Sequence, residues 1–288
     1  MPLTLLQILI LGLIQGATEL LPVSSSAHVI VAEKLMGLDP SSPEMTFLLA
    51  MLHTGTMFAV ILFFWKAWKN SFGSNPEQVR STIANLALAT IYTLAIGVGL
   101  QVLIEKVIAP RGDNTEIEQL FSNLWLVGAS LTATGLLIIV AGLRYKQEEE
   151  YDYDIPVGTA GWIGAIQGLA IPFRGFSRSG ATISVGLLQR VGKKHAEEFS
   201  FALGVILTPL AIAKELYRLM KAHAVEGQSL HLGPLLAPGL IAIAASFVAG
   251  LIALRLLTRL LNAGRWQFFG IYCLAAAAVV CVLAQRGL

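Results

Sequence analysis

The chain has 288 residues, of which 55% are hydrophobic and only 13% charged, with a mean hydropathy of +0.70. That balance excludes an ordinary soluble domain. The net charge of +2 comes from basic residues scattered through loops, which gives no footprint for nucleic acid.

In chain order, the first apolar stretch, Leu3 to Ile14, is too short to cross a bilayer and suits a re-entrant segment. It runs into a polar island, Gln15 to His28, in which Pro22 breaks the helix. A short apolar piece, Ala27 to Met36, follows, so a helix–loop–helix that enters and leaves by one face is expected. Three runs of spanning length come next, at roughly 46–65, 83–104 and 121–143. His53-Thr54-Gly55-Thr56 in the first of them either lines a cavity or, as favoured, serves helix packing. Tyr145 to Asp154, with Glu148, Glu149 and Glu150, reads as a solvated connector.

The pattern then repeats. Val157 to Ala170 is short and Gly-rich, Pro172 breaks it, and a second island, Gly175 to Thr182, precedes the short piece Ala181 to Gln189. Spans follow at roughly 199–220, 235–257 and 266–285. A shift of 152 positions superposes Gln15 on Gln167, Gly16 on Gly168 and Ser25 on Ser177. The expected fold is an all-α integral membrane protein with a single membrane domain over 1–288. Its first repeat covers 1–145 and a second, inverted repeat covers 155–288. Three spans per half is odd, so the copies point opposite ways and their broken helices meet near the midplane. No cleavable signal peptide is expected, since the first Lys or Arg is Lys34. Cys273 and Cys281 suggest neither a metal site nor a disulfide.

Loop charge sets the orientation. Lys66, Lys69, Arg80, Arg144, Lys146, Arg190, Lys193, Lys194, Arg255, Arg259 and Arg265 collect on one side. Lys34, Lys106, Arg111, Arg218, Lys221 and Arg286 collect on the other. The richer side is expected to be cytoplasmic, which places both termini outside.

The islands carry the chemistry, because ionisable groups inside a membrane mark pathways or reaction sites. Gln15 and Glu19 share a helical face. Glu19 suits a Mg²⁺ ligand beside substrate phosphates or a proton acceptor; a structural carboxylate held by backbone amides is the plain alternative. Ser24, Ser25 and Ser26 offer hydroxyls and, in a nest-like loop, converging N–H groups for an anion. One of them is a nucleophile if a base activates it, and His28 is the nearby base. Arg178 can fork onto phosphate oxygens, flanked by Ser177 and Ser179, with Gly180 allowing close backbone approach. Arg174 is either a second phosphate contact or, as favoured, a cation that snorkels to the interface.

The two islands together resemble the undecaprenyl-diphosphate phosphatase, or bacitracin-resistance, family. Its motifs Glu/Gln-x-x-x-Glu, Pro-Val-Ser-Ser with a following His, and Pro-Gly-x-Ser-Arg-Ser-x-x-Thr match Gln15 to Glu19, Pro22 to Ser25 with His28, and Gly175 to Thr182. Arg174 stands where that motif carries proline, and Gln15 takes the non-acidic option.

The resemblance implies hydrolysis of the C55 isoprenoid diphosphate in a bacterial plasma membrane; the loop charges put the opening of the site at the outer face. It also implies a divalent cation, Mg²⁺ or Ca²⁺. The catalytic set carried over is Glu19, Ser25, His28 and Arg178. Substrate contacts fall to Gln15, Ser24, Ser26, Gly175, Ser177, Ser179, Gly180 and Thr182. Ser25, His28 and a metal-activated water all stand as nucleophile candidates. A homodimer is one arrangement left open, and a polyprenyl-phosphate flippase using the same cleft is the competing reading.

Overall fold

The computed structural model describes residues 3–40, 42–72, 75–108, 123–145, 155–225 and 233–287. Among them are ten helices and no strand: α1 Leu5–Leu20, α2 Ser25–Leu35, α3 Pro43–Phe72, α4 Pro76–Ile108, α5 Leu124–Arg144, α6 Val157–Ala170, α7 Arg178–Leu188, α8 Lys193–Val225, α9 Gly233–Asn262 and α10 Gln267–Gln285. Helices α3, α4, α5, α8, α9 and α10 are long and apolar enough to cross a membrane. Large apolar side chains such as Leu6, Trp65, Val107, Leu143 and Trp162 lie exposed on the outside of the bundle, the pattern of a multi-pass membrane protein whose solvent is lipid. The acidic connector with Glu148, Glu149 and Glu150 lies outside the described residues.

Helix α1 runs on through Gln15 to Leu20 and ends before Pro22 as expected, because polar side chains do not end a helix and proline does. Leu21, forced out of the helical region by Pro22, has extended φ −81° and ψ 147°. Thr4 starts the helix with a capping box to Gln7. Gln15 and Glu19 are therefore carried on a rigid rod down to the tip of the first hairpin. At the second tip, Ser177 caps α7 by accepting a hydrogen bond from the Gly180 amide at 3.2 Å.

Close helix approach seats both hairpins. Helix α1 packs on α9, and α6 packs on α4. A Cβ at Gly16 would lie 2.5 Å from the Ser246 carbonyl oxygen, and one at Gly164 would lie 2.3 Å from that of Ala89. Any larger residue would push each hairpin off its neighbour. Helices α3 and α8 pack together at the centre, and α5 lies along α10. The aromatic stack of Phe64 on Trp68 and on Phe201 closes the core beneath the tips.

Candidate active site

The two hairpin tips meet. The Gly175 amide donates to Ser26 Oγ at 3.2 Å, and the Ser177 amide donates to Thr134 Oγ1 of α5 at 3.0 Å. Gly175 has φ +98°, and a Cβ there would lie 2.5 Å from the Val127 carbonyl oxygen. Glycine is thus required at this position both for its backbone conformation and for its contact with α5. On the other tip, Ser24 takes φ 66°, a left-handed conformation that costs a non-glycine residue about 1–3 kcal/mol. Cys273 Sγ of α10 holds the same tip through the Pro22 carbonyl at 3.5 Å.

Glu19 is the centre of the cluster. Its Oε1 accepts from Arg178 Nη2 at 2.7 Å, across the junction of the two tips. Its Oε2 accepts from the Ser25 hydroxyl and from Gln15 Nε2 at 3.2 Å. His53 Nε2 lies 3.4 Å from the same oxygen. The carboxylate is 12% exposed and the guanidinium 26%, so this pair is shielded from water and its geometry matters more than that of a surface ion pair. His53 Nδ1 sits 2.7 Å from the Leu49 carbonyl oxygen. That oxygen only accepts, so Nδ1 carries the hydrogen. One proton between Nε2 and Oε2 then satisfies both partners.

His53 is the member that the sequence reading assigned to packing. Its neighbours fit that assignment: Gly55 lies against the Ile243 carbonyl of α9, and Thr56 donates to the carbonyl of its own helix at 2.9 Å. His53 itself reaches Glu19. The available signal was a histidine in a run with no other ionisable group within several turns.

His28 does not contact Ser25. Its Nδ1 lies 2.8 Å from the Ser24 carbonyl oxygen and its Nε2 lies 2.8 Å from the Tyr272 hydroxyl, with the two rings stacked at 5.7 Å. The other residues of the second island split by role. Ser179 and Thr182 are buried, and Thr182 turns to the Ser200 hydroxyl of α8, locking α7 to its neighbour. Gly180 lets the tips approach, since a Cβ there would sit 3.2 Å from the Pro22 carbonyl oxygen. Ser24 Oγ and Ser26 Oγ are 3.3 Å apart.

Two buried polar atoms in the cluster lack a protein partner: Arg178 Nη1 and Gln15 Oε1. Leaving such groups unpaired costs about 1–3 kcal/mol each, and here one is a donor of fixed positive charge and the other a hard oxygen beside a carboxylate. Nη1 is packed against Gly204 of α8, and the part of the side chain that stays exposed is what a phosphate oxygen can reach. Gln15 Oε1 with the Glu19 carboxylate suits a Mg²⁺-type cation that keeps waters and substrate oxygens as its remaining ligands. Among the described residues there is no cluster of three or more His, Cys, Asp or Glu able to hold a metal, so such a cation would depend on substrate for part of its shell.

The cluster adjoins a cavity of about 150 Å³ between the first turns of α3 and the later turns of α8, lined by His53, Arg174, Thr208 and Glu215 among others. Arg174 therefore lines the cavity beside the cluster, within the electrostatic reach of Glu33 and Glu215. Burial pushes the Glu33 carboxyl up to about 7.

The sequence is similar to known proteins over nearly its whole length. The family described as bacitracin resistance protein BacA matches residues 8–279. Undecaprenyl-diphosphatase 2 of Acinetobacter baylyi is 52% identical over 282 residues, covering 97% of this chain and 98% of its own length. The undecaprenyl-diphosphatases of Desulfosudis oleivorans and Clavibacter michiganensis subsp. michiganensis are each 32% identical, with 98% of this chain covered and 99% and 97% of theirs.

Proposed function

The chain belongs to the bacitracin resistance protein BacA family, and we propose that it hydrolyses undecaprenyl diphosphate to undecaprenyl phosphate and orthophosphate, renewing the lipid carrier for envelope polymers. One observation carries the assignment to this site: Ser25 from the first tip and Arg178 from the second converge on the single carboxylate of Glu19. Phosphoryl transfer is mostly positioning and charge stabilisation, and both are available here. The N-termini of α2 and α7 open at the tips, where helix ends favour anions.

Ser25 is the nucleophile in this reading. Its hydroxyl proton passes to Glu19 Oε2, and His53 Nε2, 3.4 Å from the same oxygen, holds the carboxylate in place. The Ser25 oxygen attacks the terminal phosphorus, the bond to the bridging oxygen breaks, and the lipid phosphate leaves with that electron pair. Water then attacks the phosphorus, the Ser25 oxygen leaves and recovers its proton from Glu19, and the freed carboxylate takes the proton of the attacking water as orthophosphate departs. Arg178 stabilises the charge on the transferred group. A divalent cation held by Gln15 Oε1 and Glu19 would neutralise phosphate charge. His28, bonded to Tyr272, shapes the first tip and does not take Ser25's proton.

The two halves are read as an inverted repeat. In support, α1 rests on α9 as α6 rests on α4. The glycines at both contacts, Gly12 and Gly16 against Gly164 and Gly168, are related by the same 152-position shift, and Gln15 and Gln167 each leave an amide oxygen unpartnered. The orientation places the outer, periplasmic or extracellular face at the start of α3, where the cavity of His53 and Arg174 lies. The opposite helix ends gather Lys66, Lys69, Arg80, Arg144, Lys193 and Lys194 and face the cytoplasm of a bacterial plasma membrane. Every group in this reading comes from one chain, so a homodimer would add none to the site.

Arg178→Lys tests the phosphate role. Lysine keeps the charge but loses the planar fork. Turnover should fall about 100- to 1,000-fold, or ~3–4 kcal/mol, if the contact is made mainly in the transition state. Near-parental kcat and KM would remove Arg178 from the reaction.

A further inference from the structure

The position before Gly175, proline in the motif that the second island otherwise follows, is Arg174 in this chain. Arg174 shares the cavity of about 150 Å³ with His53, Thr208 and Glu215. His53 also reaches Glu19 at 3.4 Å, so the cavity ends on the cluster that holds Ser25 and Arg178. Two guanidiniums thus stand on one tip, four residues apart, with the His53 ring touching both the cavity and the cluster. The charges of Glu33 and Glu215 act on the Arg174 guanidinium. A guanidinium has five N–H donors, and the attraction of these carboxylates leaves them available to a ligand in the cavity.

We propose that Arg174 is a specificity-determining residue that grips the phosphate remaining on the lipid, while Arg178 serves the phosphate that is transferred. A diphosphate carries two adjacent anionic groups, and a monophosphate carries one. As the bond from the terminal phosphorus to the bridging oxygen breaks, that oxygen keeps the electron pair and the departing lipid phosphate gains negative charge. N–H donors from Arg174 stabilise that charge and favour diphosphates over monophosphates. The loop supports a fixed placement, because the neighbouring Gly175 amide is tied to Ser26.

The inference rests on the hydrolase reading above, and its test separates the two. Purified full-length protein, Arg174→Gln and Arg174→Lys are titrated by calorimetry with imidodiphosphate, a non-hydrolysable diphosphate, and with orthophosphate. Hydrolysis of undecaprenyl diphosphate is measured on the same samples. Arg174→Gln should weaken imidodiphosphate binding about 10- to 100-fold, the worth of a hydrogen bond to a charged group, and change orthophosphate binding less than threefold. Arg174→Lys should fall between. Equal weakening of both ligands, or no change in either, overturns the proposal; if the glutamine variant does not fold, the lysine variant decides by the same comparison. Selective loss in a protein that hydrolyses nothing would keep the diphosphate subsite and refute the hydrolase.

Discussion

Gly204→Ala should separate activity from stability. Gly204 lies in α8, and a Cβ there would sit 2.0 Å from Arg178 Nη1, 2.8 Å from Cζ and 3.2 Å from Nη2. Non-bonded heavy atoms prefer about 3.5 Å, so the guanidinium must retreat by roughly 1.5 Å. The atoms in the way belong to the free end of a flexible side chain, so the bundle itself need not move. Alanine also favours the helix by about 0.5–1 kcal/mol over glycine. Against that gain stands the charge-assisted contact to Glu19, which at 2.7 Å would open beyond hydrogen-bonding distance at a cost of about 1.5–3 kcal/mol. Net stability should stay within ~2 kcal/mol of the parent. Catalysis has no such compensation, because a displacement on the order of 1 Å costs about 100-fold in rate. The assay is phosphate release from undecaprenyl diphosphate in detergent, alongside the melting temperature of the same sample. Activity within threefold of the parent would refute the seat assigned to Arg178, and a collapse of fold and activity together would refute the claim that Gly204 serves mainly to admit the guanidinium.

Ser25→Ala should abolish turnover, whereas His28→Ala should retain more than about a tenth of it, since His28 bonds Tyr272 at 2.8 Å and not the reacting hydroxyl; trapping of phosphohistidine would reverse these roles. Glu33→Gln should stabilise the protein at pH 8 and change little at pH 5. An acid whose folded-state value rises from 4.5 to about 7 loses stability as pH climbs through that window, by up to ~3 kcal/mol. A melting-temperature gain that is the same at both pH values would contradict the burial argument. For orientation, Ala27 is fully buried and Leu35, 61% exposed, is the better probe: Leu35→Cys, in a background without Cys273 and Cys281, should react with an impermeant thiol reagent from outside intact cells. Labelling only from the cytoplasmic side would invert the topology.

Much of this was legible in the sequence, for identifiable reasons. Spanning helices announce themselves by length and hydropathy, and Pro22 and Pro172 mark the two tips because proline's effect on the preceding residue is local. What bends back in space was harder to read. Ser25 and His28 are three residues apart, and sequence proximity suggested a nucleophile and its base. Ser25 instead turns to Glu19, because α1 delivers the carboxylate to the tip whereas Tyr272 of α10 takes the imidazole. His53 and Gly204 entered the site through the packing of α3 on α8, a contact between residues some 150 positions apart that no local pattern encodes. Arg174 read as a snorkelling cation or a second phosphate contact because its neighbours in sequence are apolar; in space it lines a cavity with His53 and Glu215.

The central claim is that one carboxylate, Glu19, joins the two tips into a hydrolytic site. It is tested most directly by phosphate release from undecaprenyl diphosphate by the purified protein in detergent, where no leaflets exist and flipping cannot be scored. The parent protein should release one orthophosphate per lipid and leave undecaprenyl phosphate. Glu19→Gln, which keeps the shape and removes the charge, should be folded and inactive across a Mg²⁺ titration. Release by Glu19→Gln at the parental rate, or none by the parent, would contradict the account.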